Sequence, residues 1–216
     1  MNTEVEQTSY PASIEIEYPE TANRLTSFFR IFTVIPIAIV LGALSGGAYQ
    51  FSGGPPDSGD VNIALGGAGV TFLPALLMIL FRQKYPRWWF DWNLALTRFS
   101  LRVSSYALLL RHEYPSTDED QAVHVDLAYP DAKNGLNRWL PLVKWFLAIP
   151  HFIVLAFLGI AVFFVSIFAW FAILFTGRYP RGAFDFVVGV IRWGLRVEAY
   201  AAILITDRYP PFSLKP

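Results

Sequence analysis

Two segments of the sequence carry acidic and basic side chains at helical spacing, and these side chains are the best candidates for binding another molecule. The first set is Asp91, Arg98 and Arg102, and the second set is Asp185, Arg192 and Arg196. On an α-helix the members of each set fall within about 40° of one another. Guanidinium groups in such a row bind phosphate or carboxylate oxygens. These two polar stripes therefore predict anion binding or internal ion pairing, and no catalysis.

Three interpretations of the polar stripes are open. In the first, each arginine pairs with its own aspartate or with Glu113, Glu198 or Asp207, because buried charges are usually paired. In the second, the arginines bind anionic lipid headgroups together with Arg87 and Arg181. In the third, the stripes line a polar cavity or a protein-docking surface.

The sequence lacks the residues that most catalytic and cofactor sites require. It has no cysteine, which excludes disulfides, thiol nucleophiles, iron–sulfur clusters and thiolate zinc sites. Of its three histidines only His151 lies within an apolar segment, where it favours a packed core histidine over a proton relay. Glycine-rich phosphate loops, metal motifs and nucleophile elbows are absent. We expect no enzymatic activity, no metal and no cofactor.

The second half of the chain repeats the first. The motif KYPR at 84–87 recurs as RYPR at 178–181, and the polar stripes recur with the same spacing of 94 residues. Upstream, 14–19 resembles 123–130, and both alternate apolar and polar residues as half-buried strands do. We expect these strands to pair with each other or with a partner. The predicted organisation is an N-terminal flexible arm (1–12), a first copy (13–115), a linker (116–122) and a second copy (123–213).

Long apolar runs indicate helices that span a membrane. Two runs, 28–44 and 63–81, approach the length of about 17–25 residues that crosses a bilayer. A third run, 140–176, is about twice that length, so we expect a tight hairpin of two helices that turns near Gly159. One long tilted helix or a re-entrant pair is the alternative.

These runs predict a mainly α membrane protein with four transmembrane helices, arranged as two hairpins in parallel repeats. Each hairpin would follow a short strand and precede an amphipathic helix, 90–110 or 184–205, at the cytoplasmic interface, because its arginines disfavour burial in hydrocarbon. The 50–60 loop holds acids but no Lys or Arg, so the positive-inside rule places both termini in the cytoplasm. We expect a multi-pass protein of the bacterial inner membrane.

Composition supports this class of protein. Hydrophobic residues make up 54% of the chain and charged residues only 16%, whereas soluble domains carry about a quarter charged residues. Seventeen basic and seventeen acidic residues give a net charge of zero. A protein that binds nucleic acid through counterion release would be basic, so we expect no nucleic-acid partner.

Several stretches of the sequence resemble a known family. They are FTGRYP at 175–180, RWGLRVEAY at 192–200 and TDRYPPF at 206–212. They resemble the bacterial membrane family known as domain of unknown function 4389, over nearly the whole chain and most specifically in the second copy. The resemblance implies a small inner-membrane protein with no assigned activity and no known catalytic residues.

The predicted function is that of a non-enzymatic integral inner-membrane protein. It would act as an accessory, scaffold or lipid-headgroup-binding platform, on its own or as a subunit of a larger assembly. Its expected partners are membrane lipids with anionic headgroups, with a protein partner or a second copy of the chain as the further candidates. The alternative is a small oligomeric transporter or channel, which would need a polar cavity reaching the middle of the membrane.

Overall fold

The computed structural model of the protein describes residues 10–45, 49–51, 63–65, 67–117, 119 and 121–216. Most of the predicted arm (1–12), most of the predicted 50–60 loop and two linker positions, 118 and 120, lie outside the described residues. The elements in chain order are β1 (Ala12–Ile16), α1 (Arg24–Phe28), α2 (Arg30–Leu44), β2 (Tyr49–Phe51), β3 (Ile63–Leu65), α3 (Gly67–Leu77), a π-helix (Met78–Arg82), α4 (Arg87–Ala107), β4 (Val123–Leu127), α5 (Pro141–Thr176) and α6 (Arg181–Ala201).

Strands β1 and β4 form a two-stranded antiparallel sheet, with Ile14 opposite Val125 at its centre. Alternate side chains of both strands are buried, which is the pattern of a sheet that covers a core with one face. The expectation that the two predicted strands pair with each other is therefore confirmed. A second antiparallel pair joins β2 and β3.

The helices pack on this sheet in matching layers. Strand β1 contacts α6, which contacts α5, and strand β4 contacts α4, which contacts α2. The order of strand, amphipathic helix and apolar helix thus occurs twice. In each case the strand comes from one half of the chain and the amphipathic helix from the other half. The main core lies between these layers, and Ile79, Val187, Leu195 and Leu204 are almost completely buried there.

The predicted hairpin within 140–176 was wrong, because this region is one continuous helix, α5 (Pro141–Thr176). A single glycine costs a helix only about 1 kcal/mol relative to alanine, and packing of α5 along α6 stabilises the helix. Pro150 also lies inside the helix without ending it. The helix stops at Gly177, whose φ of 73° is left-handed and suits a residue without a Cβ.

The predicted four transmembrane helices in two hairpins were also wrong. Among the described residues, only α5 is long and apolar enough to cross a membrane by length and composition. Helix α2 has 15 residues and is about 22 Å long, which is shorter than the hydrocarbon core of about 30 Å. The second run divides into α3 and a π-helix. A multi-pass topology, and the placement of the termini derived from it, therefore lacks support.

The two amphipathic helices begin and end within three or four residues of the predicted ranges, but α6 is not an interfacial helix. Its surface is covered by β1 on one side and α5 on another, and by the C-terminal segment 209–216, where Leu214 packs on Gly189. The apolar flanks that we expected to face acyl chains instead fill the protein core. The sequence pattern could not distinguish these two environments, because both require the same amphipathic periodicity.

Candidate anion-binding surface and buried cations

The arginines of the first polar stripe bind backbone carbonyl groups. Arg98 donates from Nε to the Val125 carbonyl at 3.1 Å, which satisfies an acceptor of β4. Arg102 donates from Nη1 to the Ser116 carbonyl at 2.9 Å. Both arginines therefore fix α4 to the chain that leads into the sheet.

The arginines of the second polar stripe hold the C-terminal segment 209–216. Arg192 donates from Nη1 to the Leu214 carbonyl at 3.3 Å. Arg196 is buried and donates to the carbonyls of Ser213 and Lys215. Burial of Arg196, together with the nearby charge of Arg192, lowers its pKa. The N–H groups of a buried guanidinium need acceptors, and the carbonyls of the C-terminal segment supply them. These contacts tie the segment to α6.

The two stripe aspartates differ in their contacts. Asp91 forms an ion pair with Arg87 one turn earlier on α4, with 3.6 Å between Nε and Oδ1. Asp185 occupies the matching position on α6, and an ion pair from it to Arg181 is not seen among the described residues. The Arg87 charge is thus partly neutralised by an acidic neighbour on its own helix, which is not seen for Arg181 in the described part of the chain.

Arg87 and Arg181 lie in two matching aromatic clusters. The Arg181 guanidinium is 4.2 Å from the centre of the Tyr18 ring, and that of Arg87 is 4.8 Å from the Tyr129 ring. Tyr18 and Tyr129 follow β1 and β4, and their hydroxyls donate to the carbonyls of the Tyr-Pro motifs that precede α6 and α4. Each guanidinium is held in place by a cation–π contact with a tyrosine from the other half of the chain.

Sequence reasoning missed two buried cations, Arg30 and Lys144. Arg30 donates to the carbonyls of Tyr106 and Arg111 at 2.7 and 2.6 Å, where α4 ends. Lys144 donates to the Thr206 carbonyl at 2.8 Å, in the turn that follows α6. The signal was present in the sequence, since these two residues begin the two stretches that lack basic residues and each precedes its helix proline by six residues.

The two buried cations have different partners. Lys144 lies 2.7 Å from Oδ1 of Asp207, so a carboxylate balances its charge. Arg30 lies 2.7 Å from Nδ1 of His112, which accepts this hydrogen bond only as a neutral ring. Burial and the adjacent guanidiniums of Arg30 and Arg111 lower the pKa of His112 to about 4. Protonation of His112 would place two positive charges against each other.

His151 lies in a packed aromatic cluster between α5, α6 and the C-terminal segment. It is fully buried, and its Nδ1 accepts a hydrogen bond from Nε1 of Trp193 at 3.1 Å. The ring of Phe212 stacks on it with 3.9 Å between ring centres. Among the described residues, no group of three or more His, Asp or Glu side chains could hold a metal ion.

An open cleft of about 690 Å³ lies at the junction of α5 and α6. It brings Arg181 together with side chains that were not among the predicted site residues. The cleft is lined by Tyr18, Glu20, Phe168, Ala172, Thr176, Arg178, Tyr179, Pro180 and Arg181. Of the six candidate arginines, the cleft contains only Arg181.

Comparison with known proteins assigns part of the chain. No curated protein and no solved structure matched the sequence. Residues 139–213 match the family model described as "Domain of unknown function (DUF4389)". The match spans α5, α6 and most of the C-terminal segment, and the first copy predicted at 13–115 is not part of it. Residues 139–213 therefore form a domain of unknown function that is similar to this family.

Proposed function

We propose that the protein is a non-enzymatic integral protein of the bacterial inner membrane. It acts as an accessory or scaffold platform that binds lipid headgroups, alone or as a subunit of a larger assembly. The observation that carries the proposal is the outward-facing apolar surface of α5, because only 11% of its most apolar stretch is buried inside the protein.

The free energy of exposing this surface to water supports the proposal. Phe157, Phe163, Phe164 and Phe168 of α5 are 61–70% exposed. Burying one such side chain stabilises a protein by about 1.5–3 kcal/mol. Leaving these four in water would forfeit an amount comparable to the whole stability of a domain, about 5–15 kcal/mol. Helix α5 has 36 residues and is about 54 Å long, so a hydrocarbon core of about 30 Å covers its middle part without requiring a partner of matching shape.

Other exposed side chains extend the apolar surface. Ile31, Phe32 and Ile39 of α2 are each 67% exposed, so this shorter helix adds apolar surface without the length to cross. Trp88 and Trp139 are each 64% exposed. Tryptophan favours the boundary between acyl chains and headgroups, because its apolar ring carries one hydrogen-bond donor.

A membrane-extraction experiment tests the proposal. The wild-type protein should stay in the membrane pellet after alkaline carbonate treatment. Phe164→Arg places a charge on the exposed face of α5 and should lower the amount of inserted protein, since a charge at mid-membrane costs about 2.5–3.5 kcal/mol. Trp139→Arg, just before the helix, is the matched control and should insert normally. Release of the wild-type protein into the supernatant would refute membrane integration.

We also propose that the turn before α5 (131–140), which carries Lys133 and Arg138, faces the cytoplasm. The proposal follows from the rule that Lys and Arg are retained on the cytoplasmic side. Asn134 lies in an exposed turn, and the chain has no cysteine of its own. A cysteine at Asn134 should resist an impermeant maleimide in intact cells and react in inside-out vesicles. The reverse labelling would contradict this orientation.

We further propose that 13–115 and 123–213 are tandem copies of one unit. The repeated order of layers, the two tyrosine–arginine clusters and the two buried cations support this. Arg30 and Lys144 make equivalent contacts although their side chains differ. If the copies are equivalent, Lys144→Arg should keep most of the stability of α5, whereas Lys144→Met should not. Equal loss of melting temperature in both variants would argue against equivalent sites.

A further inference from the structure

The cleft at the junction of α5 and α6 has an unbalanced positive charge. Arg178 and Arg181 both line it, and no ion pair from either guanidinium is seen in the part of the chain that the structure describes. Glu20 is the single acidic residue in the lining. The cleft therefore favours an anion of one negative charge.

The helix ends strengthen this preference. Helix α6 begins after Pro180 without a side-chain cap, so the amide groups of its first turn are open to an acceptor and carry the positive end of the helix dipole. Two carbonyls near the end of α5 already accept hydrogen bonds, since Arg24 donates to Phe175 at 3.3 Å and Thr176 donates to Ala172 at 2.6 Å. The first-turn amides of α6 and the two guanidiniums therefore offer several hydrogen-bond donors to an anion.

The remaining wall of the cleft is apolar and continues along the outside of α5. Phe168 and Ala172 are one turn apart on this helix, and Phe168 belongs to the exposed surface assigned above to the bilayer. A ligand that fits the whole cleft would have an anionic group at one end and a hydrocarbon chain at the other.

We propose that the cleft binds a membrane phospholipid, with its phosphodiester between Arg178 and Arg181 and an acyl chain against Phe168 and Ala172. The inference rests on the proposed function, because it requires α5 to lie in a bilayer. Tyr18 contributes by holding the Arg181 guanidinium under its ring. Glu20 weakens binding through repulsion of the phosphate.

Native mass spectrometry of the full-length, delipidated protein in detergent tests the inference, with phosphatidylglycerol as the probe. Arg178→Gln with Arg181→Gln should raise the dissociation constant at least tenfold. The matched control is Lys84→Gln with Arg87→Gln, the same motif before α4, where Asp91 already pairs with Arg87; this variant should stay within twofold of wild type. Glu20→Gln should lower the dissociation constant. Diacylglycerol and inorganic phosphate, each tested alone, should bind at least tenfold more weakly than the intact lipid.

Several results would overturn the inference. They are equal lipid binding by wild type and the Arg178/Arg181 variant, equal losses in that variant and its matched control, or inorganic phosphate that binds as tightly as the lipid. A thermal melt identifies misfolding, and Phe168→Ala, which leaves both arginines intact, then supplies an independent test through a threefold or larger loss of lipid affinity. If the protein resists carbonate extraction but shows no such losses, the cleft assignment fails while the proposed function stands.

Discussion

Acidification should destabilise the protein, and His112 should contribute a large, separable part of the loss. Its pKa is about 4 in the folded protein, against an ordinary value of 6.5. Between these two values the unfolded chain binds more protons than the folded chain, so stability falls as the pH is lowered from about 6.5 towards 4. For these pKa values the loss between pH 7 and pH 5 is about 2 kcal/mol. In a chain of this length such a loss lowers the melting temperature by roughly 4–8 °C.

The assay is tryptophan-monitored melting of the detergent-solubilised protein at pH 7 and pH 5. Carboxylates also titrate as the pH falls, so the informative quantity is the difference between wild type and His112→Asn, whose amide oxygen can accept from Arg30 without titrating. His112→Asp copies the arrangement of Lys144 with Asp207 and should likewise remove most of the pH dependence. If the asparagine variant loses as much melting temperature as wild type, the reasoning about His112 is refuted.

Three further predictions concern the second half of the chain. Lys144→Met should lower the free energy of unfolding by about 3–5 kcal/mol, because it leaves the Asp207 carboxylate unbalanced. Adding Asp207→Asn should recover part of this loss, and additive costs in a double-mutant cycle would contradict the pairing. Gly189→Ala places a Cβ 2.9 Å from Leu214 of the C-terminal segment and should lower the free energy of unfolding by about 1–3 kcal/mol. The control is Gly194→Ala, whose Cβ would have nothing within 4 Å, and it should be neutral or stabilising in the same thermal melt. Arg196→Ala should lower the free energy of unfolding by about 2–4 kcal/mol and expose 209–216 to carboxypeptidase. Arg196→Lys should restore stability only in part, because lysine lacks the planar guanidinium, and unchanged digestion of the alanine variant would show that Arg196 does not hold this segment.

The periodicity of apolar and charged residues correctly identified two strands and two amphipathic helices. The alternation in β1 and β4 predicted two half-buried strands, and the row of charges on 90–110 and 184–205 predicted two amphipathic helices. The length of α5 was not predictable in the same way. Gly159 is compatible with a turn or with a helix, and packing of α5 along α6 stabilises the helix. That contact joins residues that are distant in sequence, so no local pattern reports it.

The site was less predictable than the fold, because its acceptors are backbone carbonyls. The sequence marked Arg98, Arg192 and Arg196 as polar groups on apolar helices, yet every residue type has a carbonyl group, so the partners left no signature. The cleft was hidden for a related reason. Arg178 and Arg181 face it because Gly177 and Pro180 turn the chain between two helices, whereas the helical periodicity that guided the prediction applies only within a helix.

The difference in charge balance between the two halves bears directly on where a ligand would bind. In the first half the Arg87 charge has Asp91 beside it, and Arg30, whose neighbour is a neutral histidine, is buried. In the second half Lys144 is paired with a carboxylate, while an ion pair to Arg181, which lines the cleft, is not seen among the described residues. A repeated unit can keep its buried contacts for stability and still change which surface cation is free, because an exposed ion pair contributes only about 0–1 kcal/mol. Under the proposed lipid binding, such a change costs little stability and selects the half that binds the anion.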